Sequence, residues 1–77
     1  MTHYDVVSYD VRPVEGDKQI EVVINASDGN KWEYGIPYSA SGRYEFPEVD
    51  VLEVDFGSDF VAELVAKIEA LVAELTA

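Results

Sequence analysis

The chain has no cysteine. Disulfides and cysteine-based zinc sites are therefore excluded as supports, and a domain of 77 residues must stand on its apolar core. Histidine occurs once, at His3. So close to a terminus it has little to orient it, and nucleophile–histidine catalysis has no well-placed base to recruit. No apolar run approaches the ~20 residues that span a bilayer. The first ten residues, with Asp5 among them, lack the basic and apolar regions of a secretory leader. A cytoplasmic protein is expected, and the Asn25-Ala26-Ser27 triplet is accordingly not read as a glycosylation acceptor.

Bases are scarce as well. Five Lys and Arg stand against 16 Asp and Glu, a formal net charge of −11. Such a chain is repelled by nucleic acid and by anionic membranes and is attracted to basic surfaces. There is no glycine-rich phosphate loop and no basic patch interleaved with aromatics. Residues 25–30 match the start of a calcium loop through Asn25, Ser27 and Gly29. The bidentate acid that such a loop needs falls on Ile36, so no metal site is expected. Paired carboxylates in glycosidase fashion need a cleft that a chain this short rarely encloses. We expect no enzyme, no catalytic residues and no cofactor.

Apolar residues make up 48% of the chain, enough for a folded domain over 1–77. Residues 4–12 alternate as a strand, with Val7, Tyr9 and Val11 on one face, and Pro13 and Gly16 end it in a turn. Ile20, Val22, Ile24 and Ala26 then alternate with polar positions. After Gly29, so do Trp32, Tyr34, Ile36 and Tyr38. This is a hairpin. A three-residue loop, Ser27-Asp28-Gly29 with Gly29 left-handed, pairs Ile24 with Trp32 and Val22 with Tyr34 and keeps the apolar residues on one face. Pro37 ends the second strand or sets it at an edge.

Residues 45–56 also alternate, with five acids and no base. The parity changes at Val51-Leu52, which predicts a fourth strand carrying a β-bulge. Residues 57–77 have helical periodicity. Ser58 is the expected N-cap, and Phe60, Leu64, Ile68, Leu71 and Leu75 form the stripe, widened by Val61, Val65 and Val72. Glu63 and Lys67 are spaced for an i,i+4 pair, and four alanines line the far side. The expected class is α+β, an antiparallel sheet of about four strands with one C-terminal helix packed on one face.

In that arrangement the bulge gathers Glu48, Asp50, Glu53 and Asp55 on the uncovered sheet face. Glu45, Glu21 and Glu33 extend them into an array of carboxylates at strand spacings. Such an array is similar to the phosphates of a nucleic acid as its binding proteins meet them. Tyr38 and Tyr44, beside Arg43, add interface-type side chains or core, with both roles open. In size and charge the chain resembles phage-encoded inhibitors that mimic nucleic acid (anti-restriction, anti-CRISPR and repair-glycosylase inhibitors) and the immunity proteins of nuclease toxins. That resemblance implies a stoichiometric inhibitor whose partner is a basic nucleic-acid-binding protein, with no direct nucleic-acid or membrane contact. Two other readings account for the same acids. They solvate the surface of a structural module that dimerises through its helix or a sheet edge, or they adapt the chain to high salt.

Overall fold

The computed structural model describes residues 4–77, and His3 lies outside them. Three strands, β1 (Val6–Pro13), β2 (Gln19–Ala26) and β3 (Lys31–Pro37), form an antiparallel sheet in the order β1-β2-β3. Two helices follow, α1 (Val49–Phe56) and α2 (Ser58–Leu75). The class is α+β, but among the described residues the sheet has three strands rather than about four, and the helices number two rather than one.

The hairpin follows from its residue pattern. Ile24 pairs with Trp32 and Val22 with Tyr34. Gly29 turns the chain with φ at 89°, a conformation open to glycine without steric cost. β3 stops at Pro37, on an edge of the sheet. β1 departs from its simple alternation. The register shifts between Val6 and Ser8, so Val6 lies opposite Ala26 and joins the core side, while Val7 is 68% exposed.

The core lies between the sheet and the helices. Ile20, Val22, Ile24 and Ala26 of β2 and Ile36 of β3 meet Leu52 and Phe56 of α1 and Val61, Leu64, Ile68 and Val72 of α2. The buried line of α2 is thus 61-64-68-72, with Phe60 and Leu71 half-buried at its margins and Leu75 exposed. Phe56 is an aromatic hub, with ring centroids 4.9 Å from Trp32, 5.5 Å from Phe60 and 6.0 Å from Tyr4. No helix among the described residues is long and apolar enough to cross a membrane.

The expected fourth strand is a helix. Over residues 49–56 the alternation of valines with acids conceals a second spacing, Val49, Leu52 and Phe56, which puts one side of a helix against the core. The parity change at Val51-Leu52 marks that helical period and not a bulge. β-branched residues and eight residues of length make α1 a weak helix by itself. Tertiary burial of Leu52 and Phe56 decides the conformation.

Gly57 joins the helices. At φ 93° and ψ 153° its N–H donates to the Glu53 carbonyl, closing α1, and its own carbonyl accepts from Val61 N–H, opening α2. It takes the N-cap position expected of Ser58. Side chains are strained in this region of backbone space, so Gly57→Ala should cost about 1–3 kcal/mol. A denaturant midpoint unchanged by this substitution would contradict the junction.

Candidate functional site

The open face of the sheet is where the sequence pattern places the acids. It carries Ser8, Asp10 and Arg12 of β1, Glu21, Val23 and Asn25 of β2, and Lys31 and Glu33 of β3. Its charges are largely matched. The Arg12 guanidinium donates to Glu21 Oε1 at 2.9 and 3.1 Å, and Lys31 Nζ lies 3.0 Å from Glu33 Oε1. Asn25 donates to Ser8 Oγ at 3.2 Å. Val23, beneath these side chains, is only 8% exposed. Glu21 and Glu33 do lie on the uncovered face, but each has a cation beside it.

Glu48, Asp50, Glu53 and Asp55 are elsewhere, on α1 and its N-cap, in the layer on the opposite side of the sheet. A continuous array of all these carboxylates therefore does not form. Because residues turn by about 100° along a helix, the four also diverge around α1. Asp55 lies toward the side of Glu48, whereas Asp50 and Glu53 lie on the other side. Glu48 and Asp55 both act on Tyr34, whose hydroxyl is held above its ordinary pKa first by burial and then by these two charges. Among the described residues, none of the four carboxylates accepts a side-chain hydrogen bond or enters an ion pair.

The charge is segregated by layer. Residues 45–77, which supply both helices, contain nine acids and one base, Lys67. Residues 1–44 contain seven acids and four bases. Lys67 is itself turned to the sheet, with Nζ 4.6 Å from the centroid of the Tyr9 ring rather than paired with Glu63. The helical layer is consequently almost purely anionic.

Tyr38 and Tyr44 come together. They form an isolated antiparallel bridge around the Ser39 to Arg43 loop, closed by Ser39 N–H donating to the Arg43 carbonyl at 2.8 Å. Both are half-buried against the core and, with Pro37, Arg43 and Glu45, border an open depression of about 650 Å³. Tyr44 donates to Glu69 Oε1 at 3.1 Å. Burial first, and then the Glu69 carboxylate, raises its pKa. The bridge joins Glu45 to the edge of the helical layer, whereas Glu21 and Glu33 are separated from it by the sheet.

Sequence reasoning missed two residues. Val51 and Val54 are 58% and 57% exposed, on the outer side of α1. Their spacing of three, out of phase with Leu52 and Phe56, is the signal that would have found them. A shallow groove beside α1, lined by Val49, Ala62, Val65 and Ala66 with Glu53 and Glu69, separates it from α2. Among the described residues no three His, Asp or Glu side chains gather to hold a metal ion. No family model matches the chain, and no curated protein or solved structure is significantly similar to it.

Proposed function

We propose that the protein is a non-catalytic acidic inhibitor that occupies the basic nucleic-acid-binding surface of another protein, of the anti-CRISPR, anti-restriction or nuclease-inhibitor kind. The observation that carries this reading is the segregation of charge: nine acids to one base in the part of the chain that forms the helical layer. A surface needing only solubility would gain from either sign, and mixed charge serves it well. Concentration of one sign on one layer costs self-repulsion and favours fast encounter with a cationic groove. The binding surface in this reading is the helical layer around Glu48, Asp50, Glu53 and Asp55, extended by Glu45 and Tyr44, instead of the open sheet face. Inhibition is competitive, with carboxylates standing where phosphates would.

Self-assembly through a sheet edge has less support. The register shift at Val7 distorts the β1 edge, and Pro13 lacks an N–H to offer at its end.

The test is affinity capture from lysate at low and moderate salt, followed by a nucleic-acid competition assay on the captured protein. Wild type is compared with a variant carrying Glu48→Gln, Asp50→Asn, Glu53→Gln and Asp55→Asn. A second variant neutralises Asp5, Asp10, Glu15 and Asp17 by the same kind of change. Wild type and the second variant should displace nucleic acid from the captured protein, and the first should not. Equal behaviour of the two variants, or a captured protein that keeps its nucleic acid, would refute the reading.

A further inference from the structure

The inner side of α1 fixes its orientation. Leu52 is 0% exposed and Phe56 6%, with Val49 half-buried beside them. Val51 and Val54 accordingly form an outward ridge. At about 100° per residue, Asp50 borders the two valines on one side and Asp55 on the other. Glu53 follows beyond Asp50 and leads into the groove against α2. Apolar centre and anionic borders thus lie within one strip, exposed at Asp50, Val51 and Val54 and half-buried at Glu53 and Asp55, with no cation paired to these acids among the described residues.

Apart from Asp50, favourably placed in the first turn, this strip does not serve the helix. Exposed valines contribute little to an eight-residue helix and restrict its rotamers. Asp55 sits in the last turn, which has no basic residue, where a negative charge opposes the helix dipole. A ridge that is apolar, flanked by charge with no paired cation among the described residues and, at Asp55, unfavourable to its own helix suits a partner of complementary order.

We propose that the Val51–Val54 ridge docks a basic segment of the partner in which an apolar or aromatic side chain projects between lysines or arginines. The inference rests on the reading given above and specifies its contact. The match is one of charge and polarity: carboxylates on both borders meet cations, and the valines meet the apolar side chain. Proteins that bind single-stranded nucleic acid carry this combination, because they stack bases on aromatic rings between phosphate-binding cations. The ridge offers the corresponding order, an apolar centre between anions.

The experiment uses two fluorescein-labelled hexapeptides and fluorescence anisotropy with the full chain. One peptide interleaves four lysines with two tryptophans, and its twin has glycine in place of tryptophan. Wild type should bind the tryptophan peptide about tenfold more tightly, the factor expected from burying a modest apolar contact. Val51→Ser with Val54→Ser should remove that preference and leave binding of the glycine twin unchanged. Both positions are exposed, and far-UV circular dichroism checks that the variant remains folded. Equal binding of the two peptides by wild type overturns the inference, as does a preference that survives in the double variant. Failure of the underlying reading looks different: neither peptide then responds to neutralising Glu48, Asp50, Glu53 and Asp55 together.

Discussion

Leu52→Asn should remove most of the stability of the fold, whereas Val54→Asn should leave it nearly intact. The two residues are two positions apart, so on a strand both would point to the core and both substitutions would be severe. On α1 they lie on opposite sides. Leu52 is 0% exposed and sits with Phe56 and Leu64 in the core, while Val54 is 57% exposed. Truncating a buried leucine costs about 2–5 kcal/mol, and an amide buried without partners adds about 1–3 kcal/mol. A chain of this size has a total stability on the order of 4–12 kcal/mol, so the first substitution consumes most of it. The second, on the surface, should fall within about 0.5–1 kcal/mol of wild type. Urea denaturation followed by tryptophan fluorescence at Trp32, 4.9 Å from Phe56, reads both. Comparable losses at the two positions would exclude the helix.

That pair of positions also shows how far the residues alone carry the argument. The β2–β3 hairpin was legible to the register, because Ile20, Val22 and Ile24 admit one partner face and Gly29 supplies the turn. Helix α2 was legible as an element, although its buried line runs through Val61 and Val72 and leaves Leu75 outside. Residues 49–56 were not. Their valines favour a strand, their acids alternate, and the helical spacing of Val49, Leu52 and Phe56 gains its force only from the core waiting beneath it. Local preference and tertiary burial disagree there, and burial wins. The candidate site inherited that disagreement. Acids assigned to one sheet face are divided, with Glu21 and Glu33 beside Arg12 and Lys31 on the sheet, Glu48, Asp50, Glu53 and Asp55 on α1 and its N-cap, and Glu45 in the loop before it. The charge asymmetry between 1–44 and 45–77 was present in the sequence throughout. It acquires a meaning only once the second segment is seen to form one layer.

Neutralising Glu48, Asp50, Glu53 and Asp55 together should move binding and stability in opposite directions. In the proposed complex each carboxylate meets a cation. Four contacts at ~0.7–1 kcal/mol each amount to roughly a hundredfold to thousandfold in affinity at low salt. In the free protein the same charges have no ion-pair partner among the described residues, lie in a layer of like sign, and include Asp55 against the α1 dipole. Their removal should stabilise the fold by about 1–2 kcal/mol, less the small favourable term of Asp50 in the first turn. For a domain of this size that raises the melting temperature by about 4–8 °C per kcal/mol. The gain should shrink as salt screens the repulsion. Tyr34 supplies an internal check that the charges act where the geometry puts them. Its pKa, raised first by burial and then by Glu48 and Asp55, should fall in the variant without returning fully to the ordinary tyrosine value, because burial remains. Absorbance titration of the phenolate measures it. A variant less stable than wild type at low salt would make these acids part of the fold's own support, and the cost that recognition is proposed to offset would not exist.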